Sequence, residues 1–286
     1  MARIAIIGGG SMGEALLAGM LRAGRAAKDV VISERVSDRA DYLASTYFVR
    51  VVSVEQALES AEVVILAVKP DDVESVVGQI AATAAGAERS SAPQVLISVA
   101  AGKTTAFFES RLPAGSPVIR VMPNNPALVG AGVSALAAGR FATAEQLASA
   151  VELFASVGLA LIVPESQIDA VTAVSGSGPA YFFLFVEALV DAGVAAGLTR
   201  AVATDLAVQT MAGSAAMLLE RRDAGGRGSA PGPDTAAAEL RASVTSPGGT
   251  TAAGLRELER GGLRAAVAAA VEAAKTRSEQ LGITPE

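Results

Sequence analysis

The chain has 286 residues, more than one core usually organises, so two domains of ordinary size are expected. It contains no cysteine and no histidine, which excludes disulfides, thiolate nucleophiles, a Ser-His-Asp arrangement, an imidazole base and most transition-metal sites, so no metal is expected. The net charge of −6, with scattered arginines, leaves no basic field for nucleic acid, and 51% apolar against 4% aromatic residues predicts an interior of small aliphatic side chains.

Met1-Ala2-Arg3 leads straight into a strand rather than a signal peptide, and no apolar run approaches the roughly 18 residues that span a bilayer. A soluble, cytosolic protein without a membrane partner is expected. Through the first half, short β-branched runs alternate with Ala-rich stretches, the pattern of a parallel sheet with helices on its faces. The strands are expected at Arg3–Ile7, Val30–Ser33, Val49–Val52, Val63–Ala67, Val95–Val99, Val118–Met122, Val133–Leu136 and Leu159–Val163. Thr143 with Gln146 forms a capping box that opens a helix towards Ser156, and Gly158 stops it.

After Pro164 the strands cease and the pattern turns helical, with breaks at Gly176–Pro179, Gly197, Asp223–Pro233, Ser246–Gly249 and Gly261-Gly262. The fold class is therefore α/β, a Rossmann-type domain over 1–163 followed by an all-α domain over 164–286. Tyr181–Val190, on a helix expected to start at Pro179, is apolar nearly all round, interrupted only by Glu187. One small domain can hardly bury it, and a dimer interlocked through the helices is the simplest answer. Asp223–Asp234, rich in Gly and Pro, reads as a mobile loop.

The first chemical motif is Gly8-x-Gly10-x-x-Gly13, between a buried strand and a helix, as a dinucleotide fingerprint requires. Gly8 permits the tight turn, Gly10 lets a pyrophosphate approach the backbone, and Gly13 lets the helix pack on the sheet. The second strand ends at Glu34, about 21 residues further on, where an acid binds the ribose hydroxyls of NADH. The adjacent Arg35 argues for the extra phosphate of NADPH, and Ser33 suits either.

The second motif is Ser243-Val244-Thr245-Ser246-Pro247-Gly248-Gly249-Thr250-Thr251, before a helical pattern from Ala252 to Glu259. Hydroxyls and free helix-start amides together hold a carboxylate without lysine or arginine, although the same residues also make an ordinary N-cap. Val174-Ser175-Gly176-Ser177-Gly178-Pro179 reads as a turn between helices whose glycines allow close approach of a ring.

With Ala67-Val68-Lys69-Pro70 and Met122-Pro123-Asn124, these segments give a chain that resembles pyrroline-5-carboxylate reductase over nearly its whole length, the signature being Val244–Thr251 followed by Leu255 and Leu258-Glu259. The resemblance implies NAD(P)H-dependent reduction of 1-pyrroline-5-carboxylate to proline, with NADPH the expected cofactor and NADH possible, by homodimers that the family often assembles into decamers. Carried over by position, Ile6, Ile7, Gly8, Gly9, Gly10, Ser11, Met12, Gly13, Ser33, Glu34, Arg35, Ala67, Val68, Lys69, Pro70, Val99, Ala100 and Ala101 would bind the dinucleotide. Ser246, Gly248, Gly249, Thr250 and Thr251 would hold the substrate, Ser246 and Thr251 being the catalytic candidates, in a segment that in the family reaches the partner's cofactor domain. Asn125, Val54 and Ser243 depart from the family pattern. A lysine-dependent β-hydroxyacid dehydrogenase is disfavoured because the helical half holds only Lys275; a non-catalytic NAD-binding protein leaves the Ser246–Thr251 motif without a purpose.

Overall fold

The computed structural model describes residues 3–59, 61–86, 94–224 and 236–282. The chain separates into two compact units, 1–179 joined by 271–286, and 180–270. The first is built on an eight-stranded sheet of β1 (Ile4–Ile7), β2 (Val30–Ser33), β3 (Arg50–Val51), β4 (Val63–Leu66), β5 (Val95–Ser98), β6 (Val118–Met122), β7 (Gly132–Ala138) and β8 (Gly158–Ile162). Their spatial order is β3-β2-β1-β4-β5-β6-β7-β8. All eight expected strands form, with ends displaced by a residue or two, the ordinary scatter of element boundaries.

β1 to β6 are parallel, but β7 runs antiparallel to β6, with Ile119 opposite Ala138 and Met122 opposite Ala135, and β8 follows β7 in parallel. The expectation of a wholly parallel sheet is thus corrected at one junction. A parallel return needs a crossover of a dozen residues or more, whereas only a short 3₁₀ turn, Asn125–Val129, separates β6 from β7. The connection from β7 to β8 does contain a helix, and there the strands are parallel.

The sheet is buried on both faces because helices cover both. They are α1 (Ser11–Arg22), α2 (Ser37–Tyr47), α3 (Val54–Leu58), α4 (Val73–Gly86), α5 (Thr105–Glu109) and α6 (Ala144–Ala155). Alternation in β1 assigns Ile4 and Ile6 to a core with Leu16, Leu17, Leu43 and Phe154, and Ala5 and Ile7 to a core with Leu58, Val73, Val77 and Phe108. The capping box at α6 forms in both directions, Gln146 N–H to Thr143 Oγ1 at 3.2 Å and Thr143 N–H to Gln146 Oε1 at 2.9 Å.

Beyond β8 every element among the described residues is helical: α7 (Ile168–Val171), α8 (Gly178–Ala195), α9 (Arg200–Ala224), α10 (Ala236–Ser243), α11 (Thr250–Arg260) and α12 (Leu263–Gly282). The breaks at Gly197, Ser246–Gly249 and Gly261-Gly262 appear as expected. Most of Asp223–Asp234 lies outside the described residues; Asp223 and Ala224 end α9.

Gly176–Pro179 is no break. Thr172–Gly176 is a π-helical turn that carries one helix from Glu165 to Ala195, closed by Ser177 N–H to Thr172 O at 2.8 Å. α8 begins at Gly178 rather than Pro179. Proline lacks the N–H that would serve the carbonyl four residues back, on Ser175, and Asn124 Nδ2 supplies that bond instead at 3.1 Å.

Within the second unit α8 and α9 bury only one stripe, where Val190 packs with Ala203 and Ala207. Phe183 and Leu184 on α8 are 67% and 66% exposed, and Leu206 on α9 is 54% exposed. The helices Glu165–Ala195 and Arg200–Arg221 are each long and apolar enough, by length and composition, to cross a membrane. Neither is an unbroken apolar run, because charged residues interrupt both. A count of unbroken apolar runs stops at Glu187, Asp191 and Asp205, whereas an average over the window tolerates them.

Candidate active site

At the C-terminal edge of the parallel strands, β1 gives way to the glycine turn and α1, the position where open α/β sheets bind ligands. Gly8 has φ +106° and a Cβ there would sit 2.6 Å from Ala67 O, so the residue must be glycine on both counts. A Cβ on Gly13 would lie inside the envelope of the Gly8 carbonyl oxygen, so α1 approaches the turn closely only without a side chain. Gly10 caps α1 with no side-chain acceptor and has open space around its α-carbon. The first amides of α1 are therefore free to face an anion.

The turn is braced from behind. Gly8 N–H donates to Ser33 O at 2.8 Å, and Gly9 N–H donates to Glu34 Oε2 at 2.8 Å. The other Glu34 oxygen accepts Val36 N–H at 2.8 Å, so both carboxylate oxygens are held by this chain's own backbone. Arg39 Nε donates to Gly9 O at 2.7 Å, and its guanidinium pairs with Glu14, which also accepts the Tyr47 hydroxyl at 2.7 Å. Burial alone would raise the Glu14 pKa, but hydrogen bonds from Arg39 and Tyr47 and the guanidinium charge together lower it. Burial, with the Glu14 carboxylate beside it, pushes Tyr47 up to about 12.

In front of the turn lies a cleft of about 590 Å³. Of the residues singled out by sequence it gathers Ile7, Gly8, Gly10, Ser11, Ser33, Glu34, Arg35, Ala67, Val68 and Lys69. Ile6, Gly9, Met12, Gly13, Pro70, Val99, Ala100 and Ala101 do not line it. Ile6, Gly9 and Gly13 are buried behind the turn, and Met12 packs on the core. Val99, Ala100 and Ala101 form the neighbouring turn after β5, tied to β4 by Val99 N–H to Leu66 O at 3.0 Å.

Sequence reasoning missed Glu14, Val36, Arg39, Asp72, Ser75, Val76 and Gln79, which also line the cleft. The last four recur at positions i, i+3, i+4 and i+7, from the end of the 3₁₀ turn Pro70–Asp72 along one face of α4, and that spacing was the signal available. Arg35, 76% exposed, pairs with Asp72 at 2.9 Å.

Two further motifs prove to be packing partners. Asn124 Oδ1 accepts Val133 N–H at 2.9 Å while Nδ2 holds Ser175 O, and a side chain on Gly176 would meet Met122 Cε at 2.7 Å. Met122-Pro123-Asn124 and the Val174–Pro179 segment are thus two sides of one contact, and Asn124 is only 9% exposed.

In the second unit, Ser246–Thr251 forms a turn into α11, with Gly248 at φ +71° and Gly249 as a cap without a side-chain acceptor. Gly249 N–H is committed to Ser246 O at 3.1 Å, which removes it from the donors expected for a carboxylate. By helix geometry the amides of Thr250, Thr251 and Ala252 stay free. The hydroxyls of Ser246, Thr250 and Thr251 make no hydrogen bond among the described residues, and all three residues are exposed. Ser243 and Thr245 instead bond back to Leu240 O and Arg241 O.

Comparison with known proteins agrees over both halves. Residues 165–281 match the family described as pyrroline-5-carboxylate reductase dimerisation, and residues 3–102 match NADP oxidoreductase, coenzyme F420-dependent. The pyrroline-5-carboxylate reductase of Mycobacterium tuberculosis is 67% identical over 291 residues, which cover 100% of this chain and 99% of that protein. The structure of the Coxiella burnetii pyrroline-5-carboxylate reductase superposes with a TM-score of 0.87 at 34% identity, covering 99% of both chains. That of the Plasmodium falciparum enzyme, with NADP bound, superposes with a TM-score of 0.81 at 29% identity, covering 99% of this chain and 98% of that one. With its glycine turn, its helical half and its full length all matched, the chain belongs to the pyrroline-5-carboxylate reductase family.

Proposed function

We propose that this chain reduces 1-pyrroline-5-carboxylate to L-proline with NADPH, NADH serving as a second donor. The observation that carries this reading is the Ser246–Thr251 turn, a set of unengaged hydroxyls and helix-start amides inside the matched dimerisation region. The glycine turn fits a dinucleotide on its own geometry, since Gly8 and Gly13 exclude side chains and Gly10 leaves its approach open. A bound reduced nicotinamide supplies the hydride, so the protein needs no histidine or metal of its own.

The chain's residues bind, orient and exclude water. Ser11 and the first amides of α1 hold the pyrophosphate, and Ser33 and Arg35 meet the adenosine end. Because both Glu34 oxygens already serve Gly9 and Val36, Glu34 acts as a brace for the turn, which favours NADPH over NADH. Val99, Ala100 and Ala101 bound the nicotinamide side. The substrate carboxylate takes the Ser246 hydroxyl and the amides of Thr250 and Thr251, and the Thr251 hydroxyl bonds the ring nitrogen. The proton on that nitrogen comes from solvent or from the substrate itself.

We assign 1–163 to dinucleotide binding and 164–286 to dimerisation and substrate, since the strands end at Ile162 and the matched dimerisation region opens at 165. A second copy of the chain covers the exposed α8 and α9 faces, making a homodimer whose substrate segment serves the partner's dinucleotide domain, and such dimers assemble into a decamer in the cytosol. Incubating purified protein with pyrroline-5-carboxylate and either reduced cofactor tests the reading through loss of nicotinamide absorbance and formation of proline. No proline with either cofactor refutes it.

A further inference from the structure

The adenosine end of the cleft holds one cation whose protein partner is easily displaced. Arg35 follows β2 and Asp72 ends the 3₁₀ turn Pro70–Asp72 after β4, the two strands that flank β1, so their 2.9 Å ion pair bridges the cleft in front of the glycine turn. Of the other charged groups lining the cleft, Glu34 holds two backbone amides and Arg39 is held by Gly9 O and Glu14, while Lys69 makes no ion pair among the described residues and so has no carboxylate for a ligand to displace. Arg35 by contrast is 76% exposed and Asp72 31% exposed, and a pair so accessible to water contributes little and breaks readily.

A phosphate monoester near neutral pH carries more negative charge than a carboxylate and offers three acceptor oxygens to a guanidinium. The 2′-phosphate of NADPH is such a group, whereas the 2′-hydroxyl of NADH offers Arg35 no charge to exchange for Asp72. We infer that Asp72 is a specificity-determining residue, a placeholder on Arg35 that the 2′-phosphate must displace and that NADH leaves in place. Asp72 therefore weakens NADPH binding and narrows the preference between the two cofactors, while keeping Arg35 drawn across the cleft before either arrives. This rests on the dinucleotide reading of the cleft proposed above.

The test is direct titration of the full-length protein with NADPH and with NADH, followed by nicotinamide fluorescence without substrate at low ionic strength. Four forms are compared: wild type, Asp72→Asn, Arg35→Gln, and Arg35→Gln combined with Asp72→Asn. Asp72→Asn keeps the side-chain shape at an exposed helix start and removes only the charge. The expected result is a roughly three- to fivefold lower Kd for NADPH, the worth of one exposed ion pair, with NADH changed less than about twofold. Added salt shrinks the gain. In the Arg35→Gln background Asp72→Asn no longer tightens NADPH. Equal tightening of both cofactors overturns the inference, because Asp72 then acts as a general repelling charge. Tightening that survives in Arg35→Gln, or no tightening at all, overturns it as well. Failure of the wild type to bind either dinucleotide overturns instead the reading of the cleft on which the inference stands.

Discussion

Two turns in this chain are built alike and finished differently. Gly8–Gly13 and Ser246–Thr251 each lead into a helix capped by a glycine in extended conformation, Gly10 at φ −65° and Gly249 at φ −75°, with no side-chain cap. Each therefore presents free amides, the common ground of an anion site. The first is braced on every side by Ser33, Glu34 and Arg39 and walled by a cleft. The second keeps three exposed hydroxyls without a partner among the described residues and spends one amide on its own turn. The proposed phosphate cradle is complete within one unit of a single chain, whereas the proposed substrate turn has its donors set out and no cleft around them among the described residues of its unit.

The comparison breaks first at Gly13. Gly13→Ala drives a methyl into the Gly8 carbonyl, a backbone atom that cannot step aside, and is expected to cost about 2–3 kcal/mol of stability and more than a hundredfold in NADPH affinity. Gly10→Ala meets open space and should change stability by less than about 0.5 kcal/mol, since a weaker cap is offset by a less flexible unfolded chain. It should still weaken NADPH, because the methyl stands where the pyrophosphate approaches. Thermal melts alongside cofactor titrations separate the two; a Gly13→Ala protein with normal melting and binding would show the turn to be far more yielding than its geometry.

Thr251→Ala probes the open turn. Among the described residues nothing bonds its hydroxyl, so the melting temperature and the NADPH Kd should hold while kcat falls about 10- to 100-fold, the worth of one hydrogen bond to a developing charge. Steady-state kinetics at saturating cofactor decide it, and unchanged turnover removes Thr251 from the mechanism.

Much of this was legible in the chain itself. The strands announce themselves as β-branched runs, the α6 cap as Thr143 with Gln146, and the cradle as glycines between a strand and a helix, because each is a local pattern with a local cause. What escaped notice depends on partners far away in sequence. The π-turn at Thr172–Gly176 reads as a turn between helices because Gly176, Gly178 and a helix-starting Pro179 fall together, and the partner of the Ser175 carbonyl, Asn124, lies 51 residues earlier in sequence. Glu34 stands where an acid meets ribose, and that spacing says nothing of its hydrogen bond to Gly9, 25 residues away. The direction of β7 follows from a short turn whose reach no periodicity reports.

Glu34→Gln sharpens the difference between brace and ligand. The amide can accept only one of the two backbone N–H groups and turns its NH₂ against the other, so a loss of about 1–3 kcal/mol is expected together with weaker binding of both cofactors. If Glu34 instead met the ribose of NADH, the substitution would weaken NADH alone and leave the melting temperature where it was.

The smallest expected effect lies deepest in the brace. Tyr47→Phe removes one hydrogen bond to Glu14 and should cost about 1 kcal/mol near neutral pH. Its signature is the pH dependence of that cost. Tyr47 has a folded pKa of about 12 against an ordinary 10.0, so its contribution is complete below pH 10.0 and is lost as the pH rises towards 12. Glu14 has a folded pKa below its ordinary 4.5, so its contribution is complete above 4.5 and is lost as the pH falls through the lowered value. The stability gap between wild type and Tyr47→Phe should therefore be flat across the neutral range, close on the alkaline side as the phenol ionises, and close again in acid as Glu14 takes a proton. Melting curves of both proteins across that range measure the gap; a gap that ignores pH would mean that Tyr47 packs behind the turn without holding Glu14, and that Arg39 alone keeps the cradle in place.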